Sequence, residues 1–301
     1  MKRFDWRETK EYWEIYSAHM SKVDYEKDPD GLLDVCLVWE PLWYNKFIAR
    51  FQKKIYQQLM GRVPSPQPGS RALDIGCGAG RWCRLLSESG YDATGIDLQP
   101  GLIEADRKRF PNIKFFNIAA QDFQPEAPFD LISTVTVIQH IPYEEQDVVI
   151  RKMRQMLKPG GHVIALENLL DHSANTHSNS IAVWKNKFEK AGFTTVAVQR
   201  YDYIPFLRMY MWAAGKIYRA SISDKTFNEM GVTPETLVTV QKDVSPLYHQ
   251  EARKGMRKII HELFNAGKAV AIVFDTVAET ALIWANWNFS TIHCGFVFKA
   301  S

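Results

Sequence analysis

Between residues 71 and 200, short apolar runs alternate with longer stretches in which apolar residues recur every three to four positions. The runs are RALDI, DATGID, IKFFNI, FDLISTVTV, GHVIALE and TTVAVQR. Between them lie segments such as EEQDVVIRKMRQML, whose spacing is helical and which KPGG closes as a stop signal. This alternation predicts βαβ units around a parallel sheet, a doubly wound α/β fold. Upstream, EPLWYNKFIARFQKKIYQQLM sets Phe47, Phe51, Ile55 and Leu59 on one face behind Pro41, which predicts an amphipathic helix. The Pro-rich GRVPSPQPGS ends that helix ahead of the first strand.

After about residue 201 the alternation stops. PFLRMYMWAAGKIYR, TPETLVTVQKD and the stretch from His249 to about Trp284 read as helices, and a strand-like run, TIHCGFVFKA, returns only at the end. The predicted organisation is an N-terminal helical lid over 1–70, a core over 71–201, a helical cap over 202–290 and a terminal strand of the core over 291–301.

Composition narrows the class without changing the fold. The 301 residues are 46% hydrophobic and 24% charged, as in an ordinary globular chain. A net charge of +3, spread along the chain, argues against a nucleic-acid partner. Cys36, Cys77, Cys83 and Cys294 form no CxxC pair and no zinc spacing, so reduced thiols in a cytoplasmic setting are expected and a metal is not. The charged N-terminus predicts no secretory signal, and no run of apolar residues is long enough for a transmembrane helix. In the cap, Arg208, Lys216 and Arg219 share one side of an otherwise apolar helix, which leaves peripheral membrane contact and self-association open.

The chemistry is concentrated in RALDIGCGAGRWCRLL, residues 71–86. Glycines at alternate positions behind a strand let the backbone turn sharply and let a ligand lie against it. A dinucleotide fingerprint, G-x-G-x-x-G, would need its third glycine at Arg81, and Asp74 would repel a pyrophosphate. A ligand with a cationic group near the turn fits better.

At Asp74-Ile75-Gly76-Cys77-Gly78-Ala79-Gly80 the sequence resembles the class I S-adenosylmethionine-dependent methyltransferases. Asp97, closing the second strand 21 positions after Gly76, matches the acid that holds the ribose hydroxyls in that family. Asp122, with Phe123 beside it, matches the acid that approaches the adenine amino group. The resemblance implies a seven-stranded Rossmann-like sheet whose last strand is antiparallel and inserted beside the fifth. It implies S-adenosylmethionine as cofactor and S-adenosylhomocysteine as product, with a site built from Asp74, Gly76, Cys77, Gly78, Gly80, Asp97, Leu98, Asp122, Phe123 and Val135.

Methyl transfer draws most of its rate from alignment, and a base is required only where the acceptor must lose a proton. His140, Glu167 and His172, expected at the carboxyl edge of the sheet, are the catalytic candidates. His140 has a packing role as its alternative. The aromatic cap residues Tyr201, Tyr203, Phe206, Tyr210 and Trp212 suit a small hydrophobic or aromatic metabolite of specialised biosynthesis, methylated at O, N or C. A lipid, quinone or macromolecular acceptor, or a non-methylating or cyclising protein on the same fold, is the alternative. STVT stands where amide- and base-methylating enzymes carry Pro-Pro-aromatic, which lowers the macromolecular reading.

Overall fold

The computed structural model describes residues 25–32, 41–170, 176–202, 204–214, 255–284 and 292–301. Two units divide the chain: Met1–Tyr201 with Ile292–Ser301, and Asp202–Thr291.

In the first unit, α1 (Leu42–Met60) leads into β1 (Arg71–Ile75), α2 (Arg81–Glu88), β2 (Asp92–Asp97), α3 (Pro100–Arg109) and β3 (Lys114–Asn117). There follow β4 (Phe129–Val135), a 3-10 turn (Ile138–His140), α4 (Tyr143–Met156), β5 (Leu157–Asn168), α5 (Ile181–Lys190) and β6 (Phe193–Tyr201). The strands form one sheet in the order β3-β2-β1-β4-β5-β7-β6, where β7 is His293–Ala300. β7 runs antiparallel to both β5 and β6, and the other pairings are parallel. This is the seven-stranded topology expected from the sequence. Helices cover the central strands, so these strands bury both faces and read as continuous apolar runs. Leu73, Ile132, Val163, Phe296 and Phe298 all lie in the buried core.

α1 begins at Pro41, whose extended ψ of 153° precedes the first turn, and buries Phe47, Phe51, Ile55 and Leu59 as the spacing predicts. That face packs along β5, β6 and β7. Two boundaries differ from the sequence reading. KPGG does end α4, yet it belongs to β5, because Leu157 pairs with Phe129 and the ladder then shifts register before Leu131 meets His162. Gly160, at φ 74°, admits that irregularity. β4 stops at Val135 rather than Val137, because Thr136 takes a left-handed φ of 56° and leaves the strand.

The second unit contains a helix over 205–214, here α6, and the long α7 (Gly255–Trp284). TPETLVTVQKD and the start of the stretch expected from His249 lie outside the described residues. Asp275 on α7 caps α6, its carboxylate accepting the amides of Phe206 and Leu207 at 3.0 and 2.8 Å. Two of the orphan donors of that helix end are thus satisfied by a side chain distant in sequence. Farther along the two helices Phe264 and Tyr210 pack on each other, and the Tyr210 hydroxyl donates to the Phe264 carbonyl at 3.0 Å. Away from that contact, Ile259, Leu263, Val270, Val273, Phe274 and Val277 remain exposed.

Candidate active site

From Ile75 the chain turns through Gly76, Cys77, Gly78, Ala79 and Gly80 into α2, with φ of 68°, 54° and 68° at the three glycines. The amides of Gly76 and Cys77 donate to the Ile96 carbonyl at 2.8 and 3.0 Å, which hangs the turn on β2. Cys77 and Ala79 are buried, whereas Gly76 and Gly78 keep part of their backbone exposed. Side chains anchor the turn inward and bare backbone faces outward. A Cβ on Gly76 would collide with Val137, and one on Gly80 would crowd Phe110 and Asp106.

Asp97 fixes the turn from β2. Its Oδ2 accepts the Gly78 amide and its Oδ1 the Gln99 amide, both at 2.9 Å. Burial raises its carboxyl above the usual range, while the backbone donors of Gly78, Gln99 and Leu98 pull the other way. Asn117, its register partner on β3, donates to the Asp97 carbonyl at 2.9 Å. The carboxylate is therefore oriented by two backbone amides, with Asn117 bracing the main chain behind it, and remains partly exposed. Asp74, inside β1, is fully buried, and its carboxyl is pushed up to about 7 by desolvation. Burial pushes the Cys77 thiol well above its ordinary value.

Arg109 braces the far side of the turn. Its guanidinium donates to the carbonyls of Ala79 at 3.0 Å and Pro29 at 2.7 Å and pairs with Asp106 at 3.2 Å. It also lies 3.8 Å from the Tyr25 ring centre, and Arg84 pairs with Asp30. Residues 25–32 thus pack onto the turn, while 1–24 and 33–40 of the expected N-terminal lid lie outside the described residues.

The remaining expected residues sort by environment. Leu98 is half-buried beside Asp97, and Val135 is buried where β4 ends, paired with Leu166. Asp122 is exposed in the turn after β3, and its amide donates to Ala119 at 3.1 Å. Phe123 is a core residue, with ring centres 5.6 Å from Phe116 and 6.5 Å from Phe129. His172 lies outside the described residues.

At the β4 and β5 edge, Glu167 spends both oxygens on backbone: Oε1 accepts the Ile138 amide at 3.2 Å and Oε2 the Gln139 amide at 3.1 Å. Burial pushes its carboxyl up to about 8. The Gln139 Oε1 accepts the Asn168 amide at 2.7 Å, so its Nε2 faces His140 Nε2 at 3.3 Å. A flipped amide would set N–H against N–H at Asn168, so the network assigns His140 Nε2 as acceptor and its proton to Nδ1. Gln146 donates to the carbonyls of Ile141 at 3.0 Å and His177 at 2.7 Å and accepts from Asn179 at 2.9 Å. Sequence reasoning passed over both glutamines. The readable signal was Gln146 on the apolar face of α4, in register with Val149, Ile150 and Met153.

The residues present fit the cofactor suggested by the sequence. The turn offers bare backbone, Asp97 is an oriented acceptor at the carboxyl edge of the sheet, and Asp74 has one oxygen without a hydrogen-bond partner among the described residues. A family model of the methyltransferase domain matches residues 44–198, just over half of the chain. The chain belongs to the class I S-adenosylmethionine-dependent methyltransferases. Among curated relatives of this methyltransferase chain, trans-aconitate 2-methyltransferase of Methylobacterium nodulans is 31% identical over 41% of the chain and 47% of the relative. Ubiquinone biosynthesis O-methyltransferase of Xylella fastidiosa is 33% identical over 42% of the chain and 52% of the relative. The chain spans about half the length of these relatives. A crystal structure assigned as a sarcosine dimethylglycine methyltransferase from Galdieria sulphuraria aligns with TM-score 0.51 at 15% identity, over 83% of this chain and 84% of that one. This last likeness concerns the fold alone.

Proposed function

We propose that the chain transfers the methyl group of S-adenosylmethionine to O, N or C of a small hydrophobic or aromatic acceptor. The observation that carries this reading is Asp97, bonded to the Gly78 amide yet partly exposed beside the bare turn. The cofactor supplies an electrophilic methyl on a cationic sulfonium. Asp97 would take the ribose hydroxyls, the turn from Gly76 to Gly80 would admit the methionine end, and Asp122 would approach the adenine.

Alignment is the main contribution asked of the protein. Glu167 is occupied by two backbone amides, so its role in this reading is to position the 3-10 turn that carries His140. His140 serves as base where the acceptor must lose a proton, and its Nε2 must first release Gln139. His172 stays a second candidate. Among the described residues no cluster of three or more His, Cys, Asp or Glu could hold a metal.

A quinone or lipid acceptor is the second reading. The similarity to the ubiquinone enzyme supports it, as does the exposed apolar side of α7. Among the described residues no helix is long and apolar enough to cross a membrane. The test is incubation with methyl-labelled cofactor and a panel of phenols, carboxylic acids, amines, thiols and quinols. Label in one phenolic or other aromatic product supports the first reading, and label in a quinol supports the second. Label in none of them, with the cofactor demonstrably bound, refutes both.

A further inference from the structure

The glycine turn is held from two directions. From β2, the Ile96 carbonyl accepts the amides of Gly76 and Cys77, and Asp97 accepts that of Gly78. The outer end of the turn has a different holder: the Ala79 carbonyl accepts Arg109 Nη1 at 3.0 Å. That guanidinium is shared. Nη1 also pairs with Asp106, fully buried on α3, at 3.2 Å, and Nη2 donates to the Pro29 carbonyl at 2.7 Å. Its central carbon lies 3.8 Å from the Tyr25 ring centre and 4.7 Å from that of Phe110. One side chain thus joins the glycine turn, α3 and residues 25–32.

Residues 25–32 are shaped for that seat. Gly31, at φ 61°, comes so close to the turn that a Cβ would stand 2.4 Å from the Ala79 Cβ. Glycine alone allows both the left-handed backbone and the contact. The Gly31 amide donates to the Asp28 carbonyl at 2.9 Å, which closes a turn around Pro29 and Asp30, and Asp28, Gly31 and Leu32 are buried. Asp30 adds an ion pair to Arg84 on α2, one helical turn beyond Gly80. We propose that Arg109 is a positioning residue for the cofactor, through which docking of residues 25–32 and occupation of the glycine turn reinforce each other. This rests on the reading of the turn as the cofactor cradle.

The coupling has a physical cause. With the segment docked, Tyr25 and Pro29 cover the Arg109 side chain, which is 17% exposed, and a charge-assisted bond sheltered from water is stronger than the same bond in it. Undocking wets the guanidinium and loosens its hold on the Ala79 carbonyl, which frees the outer end of the turn. A ligand lying on the turn fixes that end, and so keeps in place the contact through which Arg109 and Gly31 seat the segment. Such a link is reciprocal: the factor by which the ligand favours docking equals the factor by which docking favours the ligand. Neither Arg109 nor residues 25–32 need touch the ligand.

The experiment is hydrogen exchange of the full chain with and without saturating S-adenosylhomocysteine, beside calorimetric titration with the same ligand, for wild type, Arg109→Ala and Asp30→Ala. In wild type the ligand should slow exchange over residues 25–32 about fivefold, at the low end of couplings between sites. A variant that releases the segment should bind the ligand more weakly by that same factor. Arg109→Ala should lose at least that much, and bound ligand should no longer slow exchange over 25–32. Asp30→Ala, which leaves every hydrogen bond of the turn in place, carries the test should Arg109→Ala fail to fold; it should speed exchange and lose up to the same factor. Exchange over 25–32 that bound ligand leaves unchanged in wild type would show a merely structural role for Arg109 and overturns the proposal. So does a segment released in both variants with affinity within twofold of wild type. Wild type that binds no ligand overturns the cofactor reading itself, and this proposal with it.

Discussion

Replacing Asp97 probes both the turn and the ligand. Its two oxygens each accept a backbone amide, from Gly78 and from Gln99, at 2.9 Å. Asp97→Ala leaves both donors without their acceptor and removes the contact offered to the ribose. A hydrogen bond to a charged group is worth about 1.5 to 3 kcal/mol, so the lost ribose contact alone corresponds to about 10- to 150-fold in affinity. Asp97→Asn is not conservative here, because whichever oxygen becomes NH2 then faces an N–H donor. The Asn variant should lose about tenfold and the Ala variant the larger amount. Calorimetric titration with S-adenosylmethionine, paired with a thermal melt of each variant, separates binding from unfolding. Affinities within twofold of wild type for both variants, with unchanged melting, would refute the assignment.

Gly76→Ala should destabilise the fold by about 1 to 3 kcal/mol through its positive φ and by a further amount through Val137; Gly69→Ala, at φ 83° with open space around it, isolates the first effect in urea melts. Stability should fall as pH rises from 7 to 8.5, because the carboxyls of Asp74 at about 7 and Glu167 at about 8 hold protons that an unfolded carboxyl releases near 4. That contribution is fully present below the unfolded value and lost through the folded one. His162 acts in the opposite sense, since burial lowers its proton affinity, and is spent below about pH 7. Glu167→Gln should be less stable throughout yet flatter across this window, and a urea midpoint that rises with pH would contradict the assignment. Arg109→Ala should speed amide exchange over residues 25–32, and Arg84→Ala should do so less; protection identical to wild type would show that the Ala79 and Pro29 contacts do not hold the segment.

What the sequence revealed is what periodicity and glycine spacing encode. The buried face of α1 follows from Phe47, Phe51, Ile55 and Leu59, and the turn after β1 follows from glycines that must take positive φ. The antiparallel β7 between β5 and β6 came from the family resemblance; an isolated run such as TIHCGFVFKA carries no direction of its own. KPGG misled the β5 boundary because a pairing between Leu157 and Phe129 overrode local turn chemistry. Phe123, expected beside Asp122 near the adenine, also packs into the core beside Phe129, a contact that its place after a polar turn does not announce. Glu167 read as a catalytic candidate because its partners are backbone amides, which leave no mark in a sequence.

The three acids at strand ends show how donor supply decides role. Asp97 and Glu167 each receive two backbone amides on their carboxylates. Asp97 keeps part of its surface exposed and so can serve a ligand, whereas Glu167, 1% exposed, has both oxygens engaged by the chain around it. Asp74 is as buried as Glu167 but lies inside β1, where the neighbouring amides are committed to the ladder. Its anion must be stabilised by side chains, and those at hand are Ser133, Cys83 and, at longer range, Arg81. A carboxyl poised near 7 is then the expected outcome rather than an anomaly, because hydroxyl and thiol donors offset desolvation only in part. A cation arriving at the turn would supply the remainder, so cofactor affinity and the charge on Asp74 would be linked.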